Sequence, residues 1–383
     1  MRKLSSHFLF NGSEWLKNAI VVVDNEGEIV DVYTTEWQKE IEGVEFYNGI
    51  LCPGFINAHC HLELSHLKNT FEQGTLLKGF IKQMQQINRH YSDEVLQAMK
   101  LADREMQEAG IVTCADITNT TNSLSVKENS PILYHSFIEL FSPDEKLCST
   151  IYSQGLNLVN QFSPFSHSLT PHAPYSVSFP LMEKICQYVK NEHSIISLHL
   201  FESSNEKELF KQFQKSESWE RINSSLFYQN PTLLFALQLP KYNPILFVHN
   251  TFIQSEDMEI LTSYFPNHCW VLCPNSNMFI ENCLPPVSLL LKDESHICIG
   301  TDSYASNNSL SVLEELKTLH HYFPELTLQQ LLSFATWQGA KALNVDHCFG
   351  SIEKGKKPGI VLLSNIDLLH LQLTEDTFIQ RLI

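Results

Sequence analysis

Histidines and a carboxylate follow apolar, strand-like segments that are spread over most of the chain. His59 and His61 end the first such segment, and His199, His249 and Asp302 end three later ones. Residues so distant in sequence can meet only where a fold gathers its strand ends at one rim, as a (β/α)8 barrel does at its C-terminal face. The pattern therefore predicts an α/β fold of the TIM-barrel type. Side chains of these types commonly bind a metal ion. We expect four of the five to be ligands and the fifth to lie beside them.

Eight strand-like segments alternate with helical patterns through the middle of the chain, as in successive βαβ units. They lie near residues 50–58, 111–117, 131–138, 167–172, 194–200, 244–249, 269–273 and 296–301. Ser92 can cap a helix at its start, and Gly110 suits its end. An open doubly wound sheet is the alternative, but it would not bring all these strand ends together.

The two chain ends are rich in strand and turn patterns. Residues 19–23 and 28–33 flank the turn Asp24-Asn25-Glu26-Gly27, which predicts a hairpin. Residues 350–359 lead into a C-terminal strand at 360–363. The simplest arrangement is a small β-sandwich domain built from residues 1–49 and 345–383, beside a barrel of residues 50–344. Two independent edge hairpins are the alternative.

Two connections, at 62–91 and 203–243, are longer than is usual in such barrels. Long loops after barrel strands commonly carry substrate specificity. The alternative is that extra helices there only cover the barrel. The sequence leaves this choice open.

Composition excludes several classes of partner. The net charge is −17, which disfavours a nucleic-acid polymer. No apolar run approaches the ~20 residues of a membrane span, and the ten cysteines form no CxxC pair. These features predict a cytoplasmic protein with reduced thiols, a small-molecule substrate and no membrane partner; a homodimer is one option for its assembly.

The residue types at the strand ends suit one divalent metal ion. His59 and His61 are two apart, so on a strand they point to one side, and Cys60 points away into the core. Imidazoles with a carboxylate are typical of Zn²⁺, which we favour, or of Fe²⁺. Glu202 follows His199 by three residues and can act as an acid or base beside the metal.

The fourth strand-like segment ends in His172, between two prolines. His172 lies on the same predicted rim and is a candidate substrate contact; a packed turn histidine is the alternative. This strand has no lysine at its end that could bridge two metal ions, so we expect one metal.

In combination, four motifs resemble those of the amidohydrolase superfamily, over essentially the whole chain. They are Pro-Gly-Phe-Ile-Asn-Ala-His-Cys-His at 53–61, His-Leu-Phe-Glu at 199–202, Val-His-Asn at 248–250 and Gly-Thr-Asp-Ser at 300–303. The likeness is to the single-metal aminohydrolase branch of deaminases and chlorohydrolases. The stretches 61–65, 171–176 and 301–307 look most similar to aminodeoxyfutalosine deaminases. The chain departs from the family at Pro358-Gly359, where an Ala-Asp pair usually stands.

The resemblance implies a role for each candidate residue. It implies four metal ligands, which are His59, His61, His199 and Asp302. It implies Glu202 as the proton shuttle, His249 as the group that orients the attacking water, and Asp302 as the acceptor of the water proton. Glu63 and His172 would be substrate contacts.

Three functions compete on this basis. The first is hydrolytic deamination of an aminated purine-type nucleoside or base, such as aminodeoxyfutalosine, an adenosine or S-adenosylhomocysteine-like compound, or guanine. The second is hydrolysis of a cyclic amide or a C–Cl bond by the same residues. The third is a non-catalytic binding protein derived from an amidohydrolase. The complete ligand set together with Glu202 favours an enzyme over the third function.

Overall fold

The structure, a computed structural model, describes residues 1–34, 41–87, 91–214 and 217–383. Residues 88–90 and 215–216 of the two long connections therefore lie outside the described residues. Parallel strands alternate with helices through the middle of the chain, and a separate sheet is built from the two ends. The predicted α/β class is confirmed.

The barrel strands form two four-stranded parallel halves. The first half has the order β6-β7-β8-β9 and the second the order β10-β11-β12-β13. Their bounds are β6 Phe55–Cys60, β7 Ile111–Thr118, β8 Leu133–Leu140, β9 Ser166–Pro171, β10 Ile196–Leu200, β11 Ile245–His249, β12 His268–Leu272 and β13 Ile297–Ile299.

The two halves adjoin on both sides. At one seam His199 N–H donates to the carbonyl of His172 at 3.0 Å. At the other, Asp302 N–H donates to the carbonyl of His59 at 3.0 Å, and Cys60 and Asp302 form a parallel bridge. The eight strands thus follow one another around a common core, which is the arrangement of a (β/α)8 barrel.

The first barrel strand was predicted at 50–58, and the predicted starting residue is wrong. Residues up to Pro53 belong to β5 of the other sheet, and β6 begins at Phe55. Gly54 lies between the two strands, where a Cβ atom would come within 2.3 Å of a Val112 methyl group. A bare backbone at Gly54 therefore lets the chain pass tightly from one sheet to the other.

In the part of the chain that the structure describes, the second sheet has seven strands, which come from both chain ends. Its order is β15-β14-β5-β1-β3-β4, and β2 pairs with β1. Their bounds are β1 Arg2–Phe10, β2 Trp15–Leu16, β3 Ala19–Val23, β4 Ile29–Thr34, β5 Val44–Pro53, β14 Ile360–Ser364 and β15 Phe378–Arg381. The predicted hairpin is confirmed as the antiparallel pair β3–β4. β5 crosses the predicted domain boundary at residue 49, and the exact division into 1–49 with 345–383 and 50–344 stays a prediction.

Helices cover the outside of the strands and fill the connections. The α-helices are α1 Leu76–Gln86, α2 Asp93–Glu108, α3 Leu124–Glu128, α4 Cys148–Phe162, α5 Phe179–Glu192, α6 Glu206–Phe213, α7 Glu217–Ile222, α8 Ser224–Gln229, α9 Pro231–Ala236, α10 Ser255–Tyr264, α11 Pro274–Glu281, α12 Val287–Leu290, α13 Val312–Tyr322, α14 Leu328–Ser333 and α15 Gly339–Ala342. The Ser92 hydroxyl accepts a hydrogen bond from Val95 N–H at 3.3 Å, which confirms the predicted cap of α2. Within the described ranges, none of these helices has the length and apolar character needed to cross a membrane.

A buried ion pair supports the backbone at the end of β6, next to His59 and His61. Lys127 Nζ lies 2.6 Å from Asp116 Oδ2, and both side chains are almost fully buried. The other carboxylate oxygen of Asp116 accepts a hydrogen bond from Leu62 N–H at 2.6 Å, directly after His61. The pair therefore anchors the backbone where β6 ends.

We expect Lys127→Met to lower the free energy of unfolding by about 3–5 kcal/mol, because it leaves the Asp116 carboxylate buried without its cation. Urea denaturation at pH 7 measures the change. In the double variant Asp116→Leu/Lys127→Met no charge is left behind, so it should lose less stability than the single variant. A single variant as stable as the natural chain would contradict this role.

Candidate active site

The five residues expected at the metal meet at the C-terminal ends of the strands. The Nε2 atoms of His59 and His61 are 3.1 Å apart. The ring centre of His199 lies 4.8 Å from that of His59 and 5.4 Å from that of His249. Asp302 Oδ1 lies 3.4 Å from His61 Nε2 and 3.7 Å from His59 Nε2. The barrel thus brings His59 and Asp302 together, although 243 residues separate them in the sequence.

The backbone at two of these positions adopts an unusual conformation. His249 has φ +76° and Asp302 has φ +57°, in the left-handed region that non-glycine residues rarely occupy. Such strain persists where the surrounding structure imposes it, commonly at functional sites. It turns the chain at the strand end, where both side chains face the cluster.

Hydrogen bonds determine which nitrogen faces the centre in two of the imidazoles, those of His249 and His199. Asn277 Nδ2 donates to Thr251 Oγ1 at 2.7 Å, so its Oδ1 accepts from His249 Nδ1–H at 3.0 Å. His199 Nδ1–H donates to the carbonyl of His172 at 3.0 Å. In both rings Nε2 then carries a lone pair directed at the cluster. His249 Nε2 is buried and has no hydrogen-bond partner among the described residues.

Asp302 is oriented by two hydroxyl groups. Ser276 Oγ and Ser306 Oγ donate to its Oδ2 at 2.6 and 2.7 Å, which leaves Oδ1 to face the histidines. Sequence reasoning missed Ser276, Asn277 and the role of Ser306. Ser276 and Asn277 lie in α11 after β12, where no ligand-type residue marked the strand end.

The charge states suit a divalent cation. Burial lowers the pKa of His61 to about 3 and lowers the pKa of His59, His199 and His249 as well, so the imidazoles stay neutral near pH 7. Burial opposes ionisation of Asp302, but the neighbouring histidines and hydroxyls lower its pKa overall. Neutral imidazoles with one carboxylate are a donor set that fits one divalent metal ion.

Another group of metal-type side chains lies at the opposite end of the strands. Asp293 lies 2.5 Å from His268 Nε2 and 2.7 Å from His296 Nδ1, and Trp270 Nε1 donates to it at 3.0 Å. The Asp293 carboxylate thus accepts hydrogen bonds from three side chains, whereas Asp302 Oδ1 lies 3.4 and 3.7 Å from the Nε2 atoms of His61 and His59. The two clusters are therefore built differently.

Removing either hydroxyl that orients Asp302 should weaken metal binding. We expect Ser276→Ala and Ser306→Ala each to lower the affinity for Zn²⁺ about 10–100-fold, since partners that orient a ligand usually contribute that much. Competition with a chromophoric chelator measures the affinity. Ser263→Ala, on the exposed face of α10, is the matched control. Unchanged affinity in both variants would show that Asp302 needs no such support.

Glu202 lies beside this cluster in a largely water-free position. Its Oε1 is 3.8 Å from His249 Nε2, and its side chain is about one-tenth exposed. Burial raises the pKa of Glu202 to about 8, helped by the negative charges of Asp302, Glu281 and Glu139 and opposed by His199. A carboxyl group with such a pKa can gain and lose a proton near neutral pH.

The two expected substrate contacts are placed differently. His172 lines the cavity above the cluster, its ring 4.8 Å from that of His199 and its Nδ1 2.7 Å from Ser176 Oγ. The Glu63 carboxylate instead accepts hydrogen bonds from Asn119 N–H at 3.2 Å and Thr120 Oγ1 at 2.8 Å. Glu63 is not part of the cavity wall, but it holds the loop that presents Asn119 there.

Sequence reasoning also missed Glu139. It lies near the end of β8, one residue beyond the predicted strand, and its carboxylate lines the cavity. Asn119 Nδ2 donates to its Oε2 at 3.1 Å, and its Oε1 is 3.7 Å from His199 Nδ1. The rule that singled out the other strand-end residues could have found Glu139.

The cavity has a volume of about 290 Å³ and two kinds of wall. The floor carries the metal-type residues, and the upper wall is apolar. The two long connections contribute unequally to that wall. Five residues of α1 in connection 62–91 line the cavity, and four of them are apolar. Trp219 and Phe235 of connection 203–243 instead pack together in the core, with ring centres 5.2 Å apart. Among the described residues of the second connection, only Phe213 reaches the cavity.

Comparisons with known proteins bear on the family and the fold of this chain. The model of the Amidohydrolase family matches residues 50–380. The 5-methylthioadenosine/S-adenosylhomocysteine deaminase of Thermoanaerobacter pseudethanolicus is 28% identical over 368 residues, which cover 90% of this chain and 80% of that protein.

Two solved structures show the same fold. The Helicobacter pylori aminofutalosine deaminase in complex with methylthio-coformycin has a TM-score of 0.77 and 22% identity, and the match covers 100% of both chains. An adenosine deaminase from Xanthomonas campestris with bound zinc has a TM-score of 0.77 and 20% identity, over 94% of this chain and 84% of that one.

Proposed function

This chain belongs to the amidohydrolase family, and on that basis we propose that it is a metal-dependent hydrolytic deaminase of an aminated purine-type nucleoside or base. The observation that carries the proposal is the cluster of four histidines and Asp302 with Glu202 beside it, at the floor of one cavity. The names of the relatives, which are deaminases of adenine nucleosides, support the same class of substrate.

We propose one metal ion, Zn²⁺ in preference to Fe²⁺, with the ligands His59, His61, His199 and Asp302. When bound, the ion would supply a Lewis acid that makes a water nucleophile available near pH 7. His249 remains beside the ligands, because its Nδ1–H is held by Asn277 and its Nε2 lies toward Glu202. Its Nε2 can therefore accept a hydrogen bond from the attacking water and orient it.

The chain itself provides the proton path. Asp302 Oδ1 faces the centre and can accept the proton that the attacking water loses. Glu202, kept protonated by burial, can donate its proton to a ring nitrogen of the substrate. The water oxygen then bonds to the amino-bearing carbon. The proton held by Asp302 passes to the amino group, the C–N bond breaks with its electron pair on nitrogen, and ammonia leaves. The remaining hydroxyl proton returns to Glu202 as the carbonyl forms.

Ammonia release tests this function directly. The zinc-loaded protein is incubated with adenosine, 5′-deoxyadenosine, 5′-methylthioadenosine, S-adenosylhomocysteine and guanine, and ammonia is measured with a coupled assay. Turnover of at least one compound supports deamination. If a chlorinated triazine or a cyclic amide is hydrolysed and no aminopurine is, the alternative hydrolase is correct. Zinc binding without any hydrolysis would indicate a binding protein.

The pH profile should report the Glu202 carboxyl group. Glu202 can donate only while it is protonated, and burial holds its pKa at about 8. We therefore expect kcat to be constant below that value and to fall as pH rises through about 8. Stopped-flow or steady-state rates between pH 6 and 10 measure it. A profile that keeps rising to pH 10 would be incompatible with proton donation by Glu202.

We also propose that the substrate is a small molecule and that the protein is cytoplasmic. All ten cysteines are free thiols in the structure, which fits a reducing compartment. The homodimer stays a prediction.

A further inference from the structure

We propose that Glu315 is a positioning residue for the metal centre, because it holds the two chain segments whose hydroxyl groups orient Asp302. This inference rests on the proposed metal ligands and adds a residue to their support. Glu315 lies in α13, and it is not among the residues that line the cavity. It acts through other residues and contacts none of the proposed ligands.

The carboxyl group of Glu315 is buried and joins two asparagines. Its Oε2 accepts a hydrogen bond from Asn275 N–H at 2.9 Å, and its Oε1 accepts from Asn275 Nδ2 at 3.1 Å and from Asn307 Nδ2 at 2.7 Å. Burial raises the pKa of Glu315 to about 8, but both oxygens can accept hydrogen bonds whether or not the group carries a proton. The side chain therefore connects two segments that are distant in sequence.

Each asparagine is the chain neighbour of one serine that orients Asp302. Asn275 precedes Ser276 at the start of α11, and Asn307 follows Ser306 in the turn after β13. The hydroxyl groups of Ser276 and Ser306 donate to Asp302 Oδ2 at 2.6 and 2.7 Å. Two separate segments thus reach the same carboxylate oxygen, and one side chain of α13 is bonded to both of them.

Asn307 also supports the backbone at the metal ligand itself. Its Nδ2 donates to the carbonyl of Thr301 at 2.7 Å, directly before Asp302. An amide group has two N–H donors, so it can serve Thr301 and Glu315 together. The φ of Asp302 is +57°, a conformation that persists only where its surroundings impose it. Glu315 therefore helps to hold the strained backbone as well as the two hydroxyl groups.

A second residue of α13 fixes the other end of the Asn275 side chain. Thr318 Oγ1 donates to Asn275 Oδ1 at 2.5 Å, and Thr318 lies three residues after Glu315, on the same side of the helix. The amide of Asn275 is therefore held at both its oxygen and its nitrogen. Ligands of a metal site must be held within about 0.5 Å of the required geometry, and contacts of this kind provide that precision.

The alternative is a purely structural role, in which Glu315 only fixes α13 against α11. The two roles predict different coupling between variants. A residue that acts through the two serines loses its effect on the metal once their hydroxyl groups are removed. A residue that acts only on overall stability has an effect independent of those hydroxyl groups.

Glu315→Gln tests the inference on the full chain. The variant keeps the shape of the side chain but has one acceptor oxygen instead of two, so one of the segments loses its partner. We expect its affinity for Zn²⁺ to fall about tenfold or more. Competition with a chromophoric chelator measures the affinity, and urea denaturation of the metal-free variant shows that it is folded. Unchanged affinity in the folded variant would overturn the inference.

The matched control is Glu314→Gln, at the neighbouring position. The side chain of Glu314 is 45% exposed and pairs with Lys317 at 2.9 Å, so this variant should bind Zn²⁺ like the natural chain. If Glu315→Gln does not fold, Asn275→Ala replaces it, because this change breaks only the connection to Ser276. The same loss of affinity is then expected.

Variants without the serine hydroxyl groups decide between the two roles. In the Ser276→Ala/Ser306→Ala background, adding Glu315→Gln should lower the affinity for Zn²⁺ by less than about threefold more, because the groups it positions are already gone. Asn275→Ala is compared in the same way with Ser276→Ala alone. A further loss as large as that in the natural chain would show that Glu315 acts independently of Asp302 orientation, and the inference would be wrong.

Failure of the proposed metal ligands gives a different result. If the natural chain binds no Zn²⁺, both the proposed function and this inference are wrong. If the natural chain binds Zn²⁺ and Glu315→Gln binds it equally well, only the inference is wrong.

Discussion

Glu202→Gln should lower kcat about 10²–10⁴-fold while the protein still binds its metal ion, since positioned acid–base groups contribute rate factors of that size. Gln has nearly the same shape but cannot transfer a proton. Burial makes the native carboxyl suitable for the task, because it raises its pKa to about 8. Ammonia release by the zinc-loaded variant, with the substrate that the natural chain turns over, measures the effect.

A matched control and the metal content separate catalysis from folding. Glu208→Gln changes an exposed glutamate on the same helical connection and should keep full activity. Metal analysis should show equal zinc in both variants, because Glu202 is not among the proposed ligands. Turnover that persists undiminished in Glu202→Gln would remove this residue from the mechanism.

Removing the metal ion should abolish turnover. We expect dialysis against a chelator to lower kcat about a thousandfold or more, and Zn²⁺ to restore it, because the activated water and most of the electrostatic stabilisation would be lost with the ion. His61→Ala should have the same effect without recovery. Its Nε2 lies 3.1 Å from that of His59 and 3.4 Å from Asp302, so its loss opens the ligand set.

Elemental analysis gives a readout that is independent of activity. The natural chain should hold about one zinc per chain, and His61→Ala should hold much less. His321→Ala, an exposed histidine of α13, should bind zinc like the natural chain. A metal-free natural chain that cannot be reconstituted would rule out the ligand assignment and the hydrolytic function with it.

Much of the site could be predicted from residues at strand ends. His59, His61, His199, His249 and Asp302 each follow an apolar run, and the parallel barrel brings them together as expected. Cys60 lies in the core, since alternate residues of a strand point to opposite sides. Glu139 obeys the same rule but was missed, because the predicted strand stopped one residue before it.

Other residues could not be found in this way. Ser276 of α11 and Ser306 of the turn after β13 contact the same oxygen of Asp302, and no spacing in the sequence relates them. Glu63 lies two residues after a ligand, yet its carboxylate supports the loop at Asn119 instead of lining the cavity. Packing also decided which of the two long connections lines the cavity, because the aromatic residues of 203–243 form buried contacts around Trp219 instead.

The sequence by itself determined the alternation of strands and helices and the kinds of donor atom at the strand ends, because both follow from local periodicity and side-chain chemistry. Only the tertiary structure decided which hydroxyls and amides orient those donors, which helix forms the apolar wall, and how far burial raises the pKa of Glu202. Those properties depend on distances between residues far apart in the chain and on the exclusion of water, and neither quantity exists until the chain has folded.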